Sequence, residues 1–181
     1  MLDEIRVSSP IDTWCECGEL LAIDDLVVMG DGLLSRQGAV ATIGQLRDAV
    51  SRRVGRRGTA RLRAALDQIR PNTDSARETL LRLMLVRAGL PEPEINAELR
   101  DRTHRLVAHG DLVWPQFGVV VEYDGRHHAE SREQFAIDIR RLNDITELGL
   151  LLIRVDRTLM GERRTLLRRV ERALVSRGWR R

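Results

Sequence analysis

Over the first 70 or so residues, apolar positions recur in short bursts at helical spacing. Residues 12–21, 24–35, 42–54 and 59–69 read as amphipathic helices separated by glycine or polar breaks. Asp24 and Thr42 stand where helix N-caps are expected. Pro71-Asn72 interrupts the pattern and divides a helical appendage, 1–72, from a second domain, 73–181. A stronger helix covers 76–88 and is closed by Gly89 and Pro91. The period then shortens, and 95–100, 111–114 and 119–124 read as strands, with 101–105 as a turn. Helical spacing returns over 132–148, where Phe135, Ile139, Leu142, Ile145 and Leu148 form one face. Gly149 ends that helix, 150–155 has the continuous apolar character of a buried strand, and an arginine-rich helix covers 161–177. The predicted fold is α/β: helix, three-strand antiparallel meander, helix, strand, helix. The crossover helix lets the last strand run parallel to a neighbour.

The strand at 119–124 also carries the most informative chemistry. Alternation puts Val119, Val121 and Tyr123 on one face, and Val120, Glu122 and Asp124 on the other. Glu122 and Asp124 are acids two residues apart on a rigid element. Their repulsion is relieved by a divalent cation or by retention of a proton on one of them. Asp111 precedes them on the preceding strand, and His128 follows.

Composition narrows the chemistry further. All 30 basic residues are arginine, so no mechanism here uses a lysine. Arginine does not deprotonate in proteins and cannot serve as a general acid or base, but it binds phosphate bidentately. Arg52, Arg53, Arg56, Arg57, Arg61 and Arg63 form one group, and Arg163, Arg164, Arg168 and Arg169 another. Each is either a phosphate-tracking surface or a solvated helix face. Few aromatic residues are present, which disfavours a stacking platform for single strands. Cys15 and Cys17 are too close together to staple the chain and too few to complete a four-ligand zinc site. No apolar run approaches the ~20 residues of a membrane span, and the first residues lack the features of a signal peptide. A cytoplasmic protein without a membrane partner is the expectation.

The order of elements, with acids at these points, resembles the restriction-endonuclease-like superfamily, whose signature is an Asp followed on the next strand by (D/E)-x-K. A closer resemblance is to a bacterial family of unknown function related to very-short-patch-repair endonucleases. The shared pattern comprises Ser75-x-x-Glu78, Asp111-x-x-Trp114-Pro115, Glu122-x-Asp124-Gly125-x-x-His128, Asp138-x-x-Arg141 and Gly149 through Arg154. It covers roughly residues 75–156. The chain departs from the superfamily signature at the lysine, where Asp124 stands. The helical first part is similar to a region found in proteins that resemble abortive-infection antitoxins. Such proteins usually begin with a winged-helix domain, and this chain is expected to start downstream of one.

This resemblance implies a metal-dependent DNA endonuclease that hydrolyses phosphodiester bonds, with Mg²⁺ or Mn²⁺ as cofactor and DNA as partner. Asp111, Glu122 and Asp124 are the implied metal ligands. His128 is the implied proton carrier, and Glu78 a further acid of the site. Arg126, Arg132, Arg141 and Arg154 are the implied phosphate contacts. Several alternatives stay open. Ser75 and Glu78 also make a capping box. Asp124-Gly125 is also a turn dipeptide. Asp138 and Arg141 are also spaced for an ion pair on a helix surface. The rival to the enzyme is a catalytically inactive nuclease fold that binds DNA, or an antitoxin-like regulatory module.

Overall fold

A computed structural model describes residues 7–125, 140 and 142–181. The chain forms two compact units, Met1–Leu80 and Leu81–Arg181. Among the described residues no helix is long and apolar enough to cross a membrane.

The first unit holds α1 (Pro10–Cys17), α2 (Ile23–Leu33), α3 (Ile43–Ser51) and α4 (Thr59–Leu66). α1 begins two residues before the expected start because Ser9 caps it. The Ser9 hydroxyl accepts the Asp12 N–H at 3.1 Å, and Pro10 takes the first helical position, where a missing N–H is harmless. Asp24 is not the cap of α2. Ala22 holds that position, and Asp24 and Asp25 sit in the first turn, where carboxylates meet the positive end of the helix dipole. Thr42 does cap α3, in a reciprocal box with Gln45 at 3.2 and 2.8 Å. α1, α3 and α4 stop three to four residues short of the expected ends. There the backbone tightens into i→i+3 turns, such as Arg53 N–H to Val50 O at 3.1 Å and Gln68 N–H to Ala65 O at 2.9 Å.

Trp14, Leu26, Val27, Leu46 and Leu62 are buried in this unit, and the Trp14 indole donates to the Leu26 carbonyl at 2.8 Å. Asp31 is also fully buried. Its Oδ1 accepts the Arg70 N–H at 2.7 Å, and its Oδ2 accepts the Thr79 hydroxyl at 2.8 Å. One carboxylate thus ties the segment after α4 and the next helix back to α2. A buried charge without its donors is costly, so such a knot holds only when every partner is present.

α5 (Ala76–Arg87) contributes its first residues to the first unit and the rest to the second. It closes as the sequence pattern predicts, at Gly89 with φ 88°. Among the described residues, four strands form one mixed sheet in the order β1 (Glu94–Arg100), β2 (Leu106–Trp114), β3 (Val119–Tyr123), β4 (Leu151–Val155). β1, β2 and β3 are antiparallel neighbours, and β4 joins β3 in parallel. β2 begins at Leu106, five residues earlier than expected. The turn before it is held by Asp101, which accepts from the Thr103 hydroxyl and from the N–H groups of Thr103 and Arg105. These bonds, the Thr103 hydroxyl foremost, hold the Asp101 carboxyl down at about 2. They let pairing with β1 start immediately after the turn. A 3₁₀ turn, Pro115–Phe117, then reverses the chain into β3.

Val119, Val120 and Val121 are wholly buried, so β3 is covered on both faces. One face, with Leu112, Trp114, Val121 and Ile153, packs on Leu81 and Leu85 of α5 and on Leu166, Val170 and Leu174 of a C-terminal helix. The other, with Val113 and Val120, packs on Ile145. Ile145 belongs to α6, described as helix over residues 142–147; the earlier part of the helix expected at 132–148 lies outside the described residues apart from Arg140. α7 (Arg157–Gly161) and α8 (Arg163–Ser176) follow β4. Asp31→Ala is expected to cost about 2–4 kcal/mol of stability by orphaning the two donors it serves, read as a lower urea midpoint.

Candidate functional site

The ladder between β2 and β3 pairs Trp114 with Val119, Val113 with Val120 and Leu112 with Val121. Asp111 precedes Leu112 and Glu122 follows Val121, so the two acids flank the last pair of this ladder. There the backbone ladder gives way to a side chain, and the Tyr123 N–H donates to Asp111 Oδ2 at 2.7 Å. A strand N–H points along the plane of the sheet, so this carboxylate oxygen lies beside β3 at Tyr123. The next amide, Asp124 N–H, turns the other way and donates to the Val155 carbonyl of β4 at 2.9 Å.

The backbone across from Asp111 is unusual. β1 pairs with β2 through Ile95–Leu112 and Ala97–Gly110, which leaves Asn96 opposite Asp111. Asn96 is buried and has φ 47°, a left-handed conformation that asparagine tolerates better than most residues. Alternation slips at the same level. A Cβ on Gly110 would lie 2.7 Å from Val113 Cγ2 and 2.8 Å from Val120 Cγ1, so positions 110 and 113 meet on one face. Only glycine fits at that approach. Neither Asn96 nor Gly110 was a candidate from sequence. Gly110 stood outside the strand expected at 111–114, and a glycine immediately before Asp111 was the available signal.

On the other side of β3, the parallel register pairs Glu122 with Arg154. Glu122 is 8% exposed. Arg154 follows Leu150 and Leu152 on one strand face, as the pattern suggests, and its guanidinium donates to the Asp124 carboxylate. The pair is partly open to solvent, at 26% for Asp124 and 45% for Arg154. Asp124, Arg154, Asp156 and Glu162 line a cavity of about 420 Å³, together with Arg169 of α8.

The structure therefore sets Asp111 on the Tyr123 N–H beside the end of β3, Glu122 beside Arg154 in the parallel register, and Asp124 on the Arg154 guanidinium. Glu78 belongs to the first unit, where its carboxylate helps to start α5. It accepts from the Asp74 N–H at 3.0 Å and from the Ser75 hydroxyl at 2.8 Å, while Ser75 Oγ accepts the Glu78 N–H at 3.2 Å. This is a variant of the expected box, with the glutamate reaching one residue further back. His128, Arg126, Arg132 and Arg141, with Asp138, lie outside the described residues.

The donor set can be weighed for a metal. Among the described residues, no three His, Cys, Asp or Glu side chains gather into a group that could hold an ion. Asp111 and Glu122 nonetheless flank the same last pair of the β2–β3 ladder, and a carboxylate has acceptor capacity beyond one hydrogen bond. Mg²⁺ commonly takes only one or two carboxylates and keeps several waters. The hard oxygen chemistry of Asp111 and Glu122 suits Mg²⁺ or Mn²⁺.

No protein-family model, no curated protein and no solved structure matches the chain. The functional reading rests on the residues and their arrangement.

Asp111→Ala is expected to lose about 1–3 kcal/mol of stability, because it leaves the Tyr123 N–H without this acceptor. Asp111→Asn keeps an acceptor and should lose less than about 1 kcal/mol, both read by urea unfolding.

Proposed function

We propose that the chain is a metal-dependent DNA endonuclease with a restriction-endonuclease-like core, which hydrolyses a phosphodiester bond at the end of β2 and β3. The observation that carries this reading is the Asp111 carboxylate on the Tyr123 N–H, beside Glu122 and next to an arginine–carboxylate pair. A structural protein gains little from acids crowded at one strand end.

Asp111 and Glu122 are the residues to hold Mg²⁺ or Mn²⁺, with Asp124 as the third acid within reach. When bound, the ion supplies Lewis acidity to a phosphate oxygen and lowers the pKa of a water. The chain's own residues supply the rest. The Tyr123 N–H fixes the orientation of Asp111. Arg154 provides positive charge for the phosphate, and its pairing with Asp124 keeps the guanidinium at the site rather than in solvent. That pairing also accounts for a nuclease without lysine. The superfamily signature puts a cation two residues after the strand glutamate; here that position is Asp124, and the cation comes from β4 through the ion pair. Arginine stabilises charge but moves no proton, so proton transfer falls to another group, for which His128 is the candidate. Repair or phage defence in the bacterial cytoplasm is the setting that fits such an activity.

A second reading has its own support. The Asp124 carboxylate is already engaged by Arg154, and the described residues lack a three-ligand group. Both favour a nuclease-fold protein that binds DNA without cutting it.

Supercoiled plasmid incubated with the protein and Mg²⁺ or Mn²⁺ separates the two. The enzyme predicts nicking that EDTA abolishes, and a loss of at least about 100-fold in Asp111→Asn and in Glu122→Gln. Intact plasmid under all metals, with DNA still bound, would leave the binding protein.

A further inference from the structure

The arginines of α8 take no part in the arrangement so far, except where Arg169 enters the 420 Å³ cavity. Thr165, Arg168, Arg169, Arg172 and Ser176 recur at intervals of three and four residues, which makes one stripe of a helix. The adjoining stripe, Leu166, Val170, Ala173 and Leu174, is buried against the sheet. The polar stripe and Leu151, Leu152 and Ile153 of β4 line an open groove of about 720 Å³. β4 ends the strand order among the described residues, so the groove follows that side of the sheet.

Two facts tie this groove to the proposed site. Arg169 lines both the groove and the cavity that holds Asp124 and Arg154. The lining of the groove contains three guanidinium groups and no carboxylate. Arg168, Arg169 and Arg172 are exposed, and among the described residues none of them has an ion-pair partner. Two acids of the neighbouring cavity are used elsewhere, Asp124 on Arg154 and Asp156 on the Leu159 N–H that starts α7; the third, Glu162, stands at the start of α8. From Thr165 to Ser176 the helix rises about 16 Å. A single small anion needs one or two arginines; a row of this length suits a repeating polyanion.

We infer that Arg168, Arg169 and Arg172 form a track for the phosphate backbone of DNA, leading one strand to the Asp111–Glu122 site, with Arg169 on the phosphate nearest Arg154. This rests on the nuclease-fold reading of the site. It adds a positioning element that the family pattern does not contain, since that pattern ends at Arg154.

The test uses the whole chain and a fluorescent DNA duplex in EDTA, so that binding is read without cleavage. Each phosphate contact contributes about 0.9 to the slope of log affinity against log salt. The triple variant Arg168→Gln, Arg169→Gln, Arg172→Gln is expected to flatten that slope by roughly 2–3. It should also bind at least about tenfold more weakly at low salt, with an unchanged melting temperature, because all three side chains are exposed. Loss of binding in the triple variant supports the track even if no metal ever produces nicking, and in that case the enzyme reading alone falls. Unchanged affinity and slope overturn the track, even if the same variant still nicks plasmid and the enzyme reading stands. Tighter binding of polyglutamate than of DNA to the wild type, lost in the variant, would assign the groove to an acidic protein partner and also overturn the track.

Discussion

The register of β3 between its two neighbours is the constraint on which the rest of the second unit depends. A strand buried on both faces cannot slip by one residue without sending its valines to the wrong side. Val119, Val120 and Val121 lock it on two hydrophobic clusters at once. With that register set, the residues that follow have no freedom of placement. Glu122 stands beside Arg154, Asp124 continues onto β4 through the Val155 carbonyl, and the Tyr123 N–H faces β2. Apolar packing thus aims the polar end of the strand.

Electrostatics at that end is resolved without lysine. Asp111 and the Asp124–Arg154 pair stand where the core stops, and their charges are held by specific donors rather than by solvent alone. Asp111 takes a backbone N–H, and Asp124 takes a guanidinium. An exposed pair such as Asp124–Arg154 adds less than about 1 kcal/mol to stability, so its value lies in position rather than in folding. The arginine stripe of α8 reaches the cavity of Asp124, Arg154, Asp156 and Glu162 through Arg169.

Much of this arrangement was legible in the sequence. The β3 acids and their faces followed from strand alternation, and the parallel return of β4 followed from the crossover helix. Thr42 and Gly89 announced a helix start and a helix end by local chemistry alone. What was not legible came from tertiary context. Asp24 looks like a cap, but a carboxylate in a first helical turn is equally at home, and the local pattern does not separate the two. The early start of β2 depends on the hydrogen bonds that Asp101 makes across its turn. Asp31 gave no sign of being a buried knot, because Arg70 and Thr79, which donate to it, lie 39 and 48 residues away. Asn96 is ordinary in composition and special only because Asp111 faces it across the ladder. The pairing of Arg154 with Asp124 spans 30 residues, and no local pattern announces it.

The claim that Asp111 and Glu122 together make a metal site is the one on which the proposed chemistry stands. Thermal unfolding of the whole chain during a Mn²⁺ titration tests it most directly, since an ion that binds only the folded state raises its melting temperature with concentration. The account predicts a saturable rise in the wild type that Asp111→Asn and Glu122→Gln each remove, with Arg168→Gln unaffected. An equal rise in all four proteins, or none in the wild type, would contradict it.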